Sequence, residues 1–336
     1  MSDLSKPNKN IFKNPMVVFF TAVFCCALWG SATPFIKTGY KLMYPDAKPD
    51  VFSTILFAGI RFALAGLITV IIYSVARRKL IYPRVENLGR VGIIAVFQTI
   101  IQYFFFYFGL ANTSGAKGTI LSGSSSFFAI LISCFLFRQE KLTVKKIVAC
   151  VIGFSGIVVV NLSGLAGGGF NINIGDAAVL MSAVSLGISS VLIKIFSKSE
   201  DPVVISGYQF MAGGAVMIIL GLAFGGYVNF STPKSIGVLI YLSFLSAVAY
   251  ALWGVLLKHN PVSRVTIFSF STSVFGVILT AIMLPEENTV DPVNLVTSLI
   301  LVCLGVFLLN FNPQKKPSWA SRGEKEAAEI PGGKDE

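Results

Sequence analysis

Charge is scarce in this chain of 336 residues, since Asp, Glu, Lys and Arg make up only 13% of it while 54% is hydrophobic. A soluble globular domain carries about twice that share of charged residues, so an ordinary soluble enzyme is excluded. Intrinsic disorder is excluded too, because disordered chains combine low hydrophobicity with much charge. One sign of charge prevails, with 27 basic against 16 acidic side chains, so the positions of the basic residues need an explanation.

Histidine and cysteine are too few for the common kinds of chemical site. His259 is the single histidine, which excludes a histidine-containing metal centre or catalytic triad. All five cysteines lie in apolar stretches, and none has the spacing of metal ligands or stands in a loop where a disulfide forms. The chain also lacks a glycine-rich phosphate loop and an acidic cluster. The sequence therefore predicts no metal, no cofactor and no enzymatic activity.

Long apolar stretches are abundant instead. Ten of them reach the length of about 20 residues that a helix needs to cross a bilayer. They are continuously apolar, whereas strands of a membrane barrel would alternate. We predict an all-α integral membrane protein with ten transmembrane helices. The predicted spans are 16–36, 52–76, 88–110, 118–137, 142–161, 174–197, 204–224, 234–257, 263–284 and 292–311.

The basic residues sort by side of the membrane. With the N-terminus in the cytoplasm, 21 of the 27 lie on the cytoplasmic side, in loops, tails or span ends, five lie on the outer side, and Arg61 alone lies well inside a span. This asymmetry is the positive-inside pattern. It predicts a multi-pass protein of the cell (plasma) membrane with both termini cytoplasmic. The excess of positive charge thus reflects topology, and nucleic acid is not a predicted partner.

An internal repeat divides the apolar region in two. A shift of 147 residues places 103–140 on 250–287 without a gap, with Tyr103 on Tyr250 among the matches. Each copy contains five spans, an odd number, so the second copy enters the membrane inverted. Inverted repeats of this kind are typical of alternating-access carriers, whose substrate site lies at the midplane between the copies.

The predicted organisation follows from the spans and the repeat. Two five-helix repeats form a 5+5 inverted-topology fold, with a short polar tail at each end. The parts are a cytoplasmic N-terminal tail (1–15), the first repeat (16–161), the second repeat (174–311) and a cytoplasmic C-terminal tail (312–336).

Several short motifs occur in an order that resembles the drug/metabolite transporter superfamily, and specifically its EamA-like ten-helix branch. The likeness covers residues 16–311. It implies a carrier of small polar or amphipathic metabolites, with a cavity lined by helices 1, 3, 4, 6, 8 and 9. The motifs are Leu28-Trp-Gly-Ser31, Ile60-Arg-Phe-Ala63, Ala111-Asn-Thr-Ser114, Glu140-Lys-Leu-Thr143, Gly153-x-x-Gly156, Tyr250-Ala-Leu-Trp253 and Pro285-Glu-Glu287.

Arg61 is the one ionisable residue well inside a predicted span. Charged residues at that depth are costly and face the protein interior. Arg61 therefore either binds a substrate carboxylate or bonds to helix-end carbonyls in a structural role. Its repeat counterpart, Gln209, is polar but neutral, so the predicted site carries charge on one side only.

Aromatic, hydroxyl and amide side chains complete the predicted substrate site. The aromatic residues either wall the cavity or serve as packing and interfacial anchors. The serines either line the cavity or let helices pack closely, and the glutamines avoid lipid, where an unpaired amide is costly. The predicted substrate-binding residues are Trp29, Arg61, Gln98, Gln102, Tyr103, Ser122, Ser126, Tyr250, Trp253 and Ser273.

We therefore expect a secondary transporter that exports or exchanges an amino-acid-like or drug-like metabolite by alternating access. No Asp or Glu lies in the interior of a predicted span, since Asp176 is at a helix start, which favours a uniporter or exchanger over a proton-driven pump. Two alternatives remain: an uptake carrier for an organic cation such as a quaternary amine, caged by aromatic rings, and a membrane receptor that does not transport. The predicted partners are a small molecule and the lipid bilayer, and a homodimer is left open.

Overall fold

The computed structural model describes residues 11–45, 50–112, 121–160, 174–283 and 292–310. Each of the ten predicted spans is helical over most of its described residues, and the predicted all-α membrane fold is confirmed. The helices are α1 (Pro15–Met43), α2 (Val51–Arg77), α3 (Leu88–Ile94, a π-helical stretch Ala95–Ile101, then Gln102–Asn112), α4 (Ser125–Leu131, then a π-helical stretch Ile132–Leu136), α5 (Val144–Val160), α6 (Ile174–Phe196), α7 (Pro202–Ala223), α8 (Pro233–His259), α9 (Val262–Thr266, a 3-10 turn Ile267–Ser269, then Phe270–Met283) and α10 (Pro292–Asn310).

Seven of the described helices are long and apolar enough to cross a membrane, and α4, α5 and α9 are shorter. Their starts are set by short polar residues. Asp50 accepts a hydrogen bond of 2.9 Å from the backbone N–H of Ser53 at the start of α2, and Asp201 accepts one of 2.9 Å from Val203 at the start of α7. Such caps satisfy the unpaired N–H groups of a first turn. We call the face on which α1 begins and α10 ends the terminal face.

Helix α1 is longer than predicted. The sequence places its end near residue 36 and leaves Lys37 and Lys41 in a loop, whereas the helix continues to Met43. Met43 is buried in a cluster with Phe57 and Leu242, and this burial stabilises the last turns. Lysines are tolerated there because the apolar stem can lie along the protein while the ammonium group reaches water.

Helix packing follows the inverted repeat. Helix α2 packs on its own counterpart α7, and α5 packs on its counterpart α10. The contact of α1 with α8 is matched by that of α6 with α3, and the contact of α1 with α9 by that of α6 with α4. Exchanging the two repeats therefore leaves the α2–α7 and α5–α10 contacts unchanged and turns each α1 contact into the matching α6 contact. The two halves are related by an approximate two-fold axis, which passes between α2 and α7.

Glycine allows α2 and α7 to approach along this axis. A Cβ atom on Gly59 would lie 2.9 Å from the carbonyl oxygen of Gly214, and one on Gly214 would lie 2.8 Å from that of Gly59. Gly66 and Gly207 face each other in the same way nearer the terminal face. Small residues at such positions let two backbones pack in direct contact, so these four glycines set the separation of the repeats.

Replacing Gly214 by Ala tests this packing. Its Cβ would stand 2.5 Å from the backbone nitrogen of Ala63, so we expect the helices to separate and stability to fall by about 1–3 kcal/mol, as in other overpacked cores. Thermal unfolding of the purified protein measures the effect. Gly237→Ala is the control, since a Cβ there meets nothing within 4 Å; equal melting temperatures for the two variants would refute the close contact.

Candidate functional site

Four aromatic rings mark the two-fold axis. Phe62 of α2 and its repeat counterpart Phe210 of α7 are stacked, with centroids 5.0 Å apart and planes at 18°. The Phe62 ring lies 4.4 Å from that of Tyr103, and the Phe210 ring 4.9 Å from that of Tyr250. The two tyrosines, also repeat counterparts, share a hydrogen bond of 2.7 Å between their hydroxyls. We call these residues the axial cluster; it brings the predicted site residues Tyr103 and Tyr250 together.

Next to the axial cluster, the two repeats make equivalent hydrogen bonds with different chemistry. Arg61 Nη2 donates to Ser246 Oγ at 2.9 Å. In the other half, Thr99 Oγ1 donates to Gln209 Oε1 at 2.7 Å. Gln209 is the counterpart of Arg61, and Thr99 that of Ser246 under the shift of 147 residues. Each half therefore pairs a long polar side chain with a hydroxyl, but only one half carries a charge.

Arg61 is a buried cation without a counter-charge. It is 2% exposed, and none of the described carboxylates forms an ion pair with it. Its guanidinium carbon lies 4.9 Å from the centroid of the Phe62 ring, a contact that attracts a cation weakly. A buried charge is costly unless it is paired and hydrogen-bonded. The one bond to Ser246 leaves most of that requirement unmet, and Nε has no acceptor among the described residues.

Two further tyrosines surround the same guanidinium group. Tyr40 of α1 and Tyr107 of α3 lie close enough to Arg61 to interact electrostatically with it. Both hydroxyl groups are buried. They lie within reach of each other, and that of Tyr107 also within reach of Arg61, but neither makes a hydrogen bond of normal geometry in the part of the chain that the structure describes. Buried hydroxyls are normally bonded. Arg61, Tyr40 and Tyr107 thus form a group of unused donors, which we call the donor cluster.

Trp29 connects the axial cluster to Trp253. Its ring lies edge-on to both Tyr250 and Trp253, with centroids 5.0 Å and 4.9 Å away. The indole Nε1–H is buried and has no acceptor among the described side chains and backbone groups, although a buried indole normally finds one. The structure therefore groups three predicted site residues into an aromatic wall, Trp29, Tyr250 and Trp253, which presents one unused donor.

The π-helical stretch of α3 lies beside the axial cluster. Such stretches widen a helix and occur often at functional sites. Ser185 of α6 donates to the carbonyl oxygen of Phe97 within the stretch at 2.6 Å. Gln98 and Gln102 are both buried, and the side-chain oxygen of each lacks a donor among the described residues. The counterpart helix α8 is regularly α-helical throughout, so this feature distinguishes the two halves.

The predicted serines lie on α4 and α9. Ser126 donates to the carbonyl oxygen of Thr266 at 2.9 Å and is hydrogen-bonded to the hydroxyl of Ser269. These bonds join the two helices. Of the two roles considered for the serines in the sequence analysis, they correspond to helix packing. Ser122 and Ser273 are half-buried, and contact between them and a substrate stays a prediction.

The contact between α4 and α9 ends at the terminal face in a buried carboxylate. Glu140, in the loop after α4, accepts hydrogen bonds from the backbone N–H of Ser263 at 3.2 Å, from the Ser263 hydroxyl, and from Lys146 Nζ at 2.8 Å. Burial raises the pKa of the Glu140 carboxyl, but the bonds from Lys146 and Ser263 outweigh burial and hold that pKa below its ordinary value of 4.5. The carboxylate also faces the first turn of α9, where a negative charge is favourable.

We use the name α4–α9 seam for the contacts of Ser126 and Glu140 with Ser263, Thr266 and Ser269. Ser126 and Glu140 belong to the first repeat and the other three residues to the second. The seam therefore holds the two repeats together from the level of the serines to the terminal face.

The sequence matches the EamA-like transporter family over residues 16–162 and 173–311. The chain belongs to this family. The EamA-like chain is therefore a multi-pass membrane transporter, as the sequence predicts. One solved crystal structure superimposes on it with a TM-score of 0.70 at 19% identity, covering 88% of this chain and 95% of the other. At that identity the likeness concerns the fold alone.

Curated relatives of this EamA-like chain include transporters without a stated substrate. The uncharacterized transporter YvbV of Bacillus subtilis (strain 168) is 23% identical over 313 residues, which cover 91% of this chain and 95% of the relative. An uncharacterized transporter of Archaeoglobus fulgidus is 24% identical, with coverages of 84% and 94%. A WAT1-related chloroplastic protein of Arabidopsis thaliana is 23% identical, with coverages of 83% and 68%.

Sequence reasoning does not single out several residues that the structure places at the site. Ser246 and Thr99 carry a usable signal, since extending the 147-residue shift by four positions aligns them. Tyr40 and Tyr107 carry none, because no pattern separates them from aromatic residues that only pack. The described residues contain no group of three or more metal-ligating side chains.

The tyrosine pair of the axial cluster can be tested by a double-mutant cycle. Tyr103→Phe leaves the Tyr250 hydroxyl buried without its 2.7 Å partner, and we expect a loss of stability of about 1–2 kcal/mol. The double variant Tyr103→Phe with Tyr250→Phe should recover most of it, since no hydroxyl is then left unpaired. Chemical unfolding of the four proteins measures the coupling; additive losses would show that the two hydroxyls are not bonded to each other.

Proposed function

We propose that this transporter carries a small metabolite bearing a carboxylate, amino-acid-like or drug-like, by export or exchange, and that it works by alternating access around the axial cluster. The observation that carries the proposal is Arg61, a buried cation that no described carboxylate neutralises. A substrate carboxylate would supply the missing charge when it binds.

The donor cluster fits a carboxylate in number and kind. A carboxylate accepts several hydrogen bonds, and it pairs with guanidinium in a two-pronged geometry that is stronger than a neutral contact. The Nε of Arg61 and the hydroxyls of Tyr40 and Tyr107 are unused, so such an anion would find donors without breaking the Arg61–Ser246 bond. The aromatic wall lies next to these donors and suits the apolar part of an amphipathic metabolite.

The organic-cation alternative is supported by the aromatic wall, because the faces of Trp and Tyr attract quaternary ammonium groups. Charge argues against it. Arg61 would repel a cation at this depth, where the low dielectric strengthens every charge interaction. In addition, none of the described acidic residues lies beside the wall to attract one.

The α4–α9 seam supports alternating access. Under the positive-inside rule the terminal face is the cytoplasmic one in the cell membrane, and the seam closes the repeats against each other on that side. Opening a path from Arg61 to the cytoplasm requires the seam to part. The repeat supplies equivalent helices at the opposite face, which is how inverted-repeat carriers alternate.

Arg61→Met tests the proposed anion site. The variant removes a buried charge without a counter-ion, so we expect its melting temperature to equal or exceed that of the wild type. Matched pairs of small carboxylates and their amides, such as benzoate with benzamide, are screened by thermal shift and by uptake into reconstituted vesicles. The wild type should prefer the carboxylates, and Arg61→Met should lose that preference.

Arg61→Lys is the matched control, because it keeps the charge and loses only the two-pronged geometry. We expect it to retain part of the carboxylate preference. A strongly destabilised Arg61→Met protein that still prefers carboxylates would show that Arg61 is structural. Binding that persists in vesicles without exchange would favour the receptor alternative, and a preference for amines would favour the cation carrier.

Glu140→Gln tests the seam as a gate. The variant keeps the shape of the side chain but removes its charge, and charge-assisted bonds contribute about 1.5–3 kcal/mol. Hydrogen–deuterium exchange at residues 262–269 should therefore rise roughly tenfold, since about 1.4 kcal/mol corresponds to a factor of ten.

Glu86→Gln provides the comparison on the same face, because Glu86 is exposed and makes no contact with the seam. The same increase in both variants, or none in Glu140→Gln, would show that Glu140 does not hold α9 closed.

A further inference from the structure

Gln209 of the second repeat aligns with Arg61 of the first. The two residues make equivalent bonds, Arg61 to Ser246 and Gln209 to Thr99. They are each followed by one of the stacked phenylalanines of the axial cluster. Gln209 is therefore held as rigidly, and at an equivalent place beside the axis, as the residue that we assign to the substrate carboxylate.

The side-chain nitrogen of Gln209 is an unused donor. Gln209 is 0% exposed, and its Oε1 accepts from Thr99. Its Nε2 has no acceptor anywhere in the described ranges of the chain. An amide buried without its bonds costs free energy, and here the bond to Thr99 fixes which end of the amide points away from α3. The site thus presents an N–H donor without a charge.

Arg61 and Gln209 are close along the helix axes. On the antiparallel pair α2 and α7, Gly59 faces Gly214 and Gly66 faces Gly207, so Gln209 is level with residue 64 of α2. That is three residues from Arg61, about 4.5 Å at the rise of an α-helix. Arg61 lies toward the face opposite the termini and Gln209 toward the terminal face. Because each side chain leans toward the N-terminus of its own helix, the two polar groups lie farther apart than about 4.5 Å, and reaching both takes a substrate with a polar group at each end.

We propose that Gln209 is the second, neutral group of the substrate site, and that the pair Arg61 and Gln209 limits the substrate to one negative charge. The substrate class is a monoanion with a carboxylate for Arg61 and an uncharged oxygen acceptor, such as an amide carbonyl or a hydroxyl, for Gln209 Nε2. This inference rests on the proposed function, since it takes Arg61 as the carboxylate site.

A second carboxylate would be rejected on electrostatic grounds. Burying it at Gln209 would leave an anion with a neutral donor and no counter-charge, and the desolvation cost of such an ion is several kcal/mol. The second half has smaller side chains around this position. Gly254 aligns with Tyr107 and Ser197 with Tyr40, so the two tyrosine hydroxyls near Arg61 have no tyrosine counterparts at the aligned positions of the second half.

The test uses dicarboxylates and their monoamides. Succinate, glutarate and adipate are each compared with the corresponding monoamide by thermal shift and by competition for uptake in vesicles. The wild type should prefer the monoamide at the chain length that fits. In Gln209→Arg the second carboxylate meets a cation, so this variant should prefer the dicarboxylate. The ratio of monoamide affinity to dicarboxylate affinity should fall by at least about tenfold, a change of about 1.4 kcal/mol. Gln139→Leu, which changes an exposed glutamine of the terminal face, should leave the ratio as it is in the wild type.

Gln209→Leu keeps the test decisive if the arginine variant does not fold. It removes the donor, so the preference for succinamate over butyrate should disappear. A preference that survives in both variants would overturn the role of Gln209. If the wild type binds no carboxylate at all, the proposed function itself fails; if it binds carboxylates through Arg61 with unchanged ratios in the Gln209 variants, only the present inference fails.

Discussion

The direct backbone contact of α2 with α7 is the constraint on which the rest of the molecule depends. Gly59, Gly66, Gly207 and Gly214 bring the two helices together on the two-fold axis, and any side chain beyond a hydrogen atom would separate them. Because the helices touch, the residues between the glycines have fixed partners across the axis. This contact sets the position of the Phe62–Phe210 stack. It also sets the positions of Arg61 and Gln209, which precede these two residues.

A nearly symmetric scaffold carries an asymmetric chemistry. The packing of helices and the paired hydrogen bonds repeat in both halves. Among the described residues, the buried charge of Arg61 has no charged counterpart in the second half, and both π-helical stretches lie in the first. Symmetry serves the motion of a carrier, because two similar halves can exchange their conformations. Asymmetry serves recognition, because a substrate with two different ends needs two different groups. In the proposed site, Arg61 and Gln209 meet both demands at one pair of aligned positions.

Most of the fold could be predicted from the sequence, and only part of the site. Hydropathy finds the spans because a helix is the form in which an apolar segment satisfies its own backbone in a bilayer, and aligned glycines such as Gly59 and Gly207 reveal the repeat. Arg61 is identifiable because charge is rare at that depth. Tyr40 escapes prediction because an aromatic residue in an apolar helix has the same local pattern whether it packs or presents its hydroxyl. Whether Ser126 packs or binds depends on the neighbouring helix, which local sequence does not specify.

Under the proposed alternating access, the Glu140 contacts stabilise the state that is closed at the terminal face, and their total strength has an upper limit. A carrier must populate both states, and a bias of about 5.5 kcal/mol would already move the balance between them from 99:1 to 1:99. The two charge-assisted bonds from Ser263, at about 1.5–3 kcal/mol each, reach that range if nothing opposes them. In the proposed mechanism the inverted repeat provides an opposing contact at the other face, and a weaker one, because Ala116, which aligns with Ser263, has no hydroxyl to donate. The carboxylate of that opposing contact would be Glu287, which aligns with Glu140 and lies outside the described residues. On this argument, weakening Glu140 alone shifts the carrier toward one side, and weakening both carboxylates together returns it toward the middle.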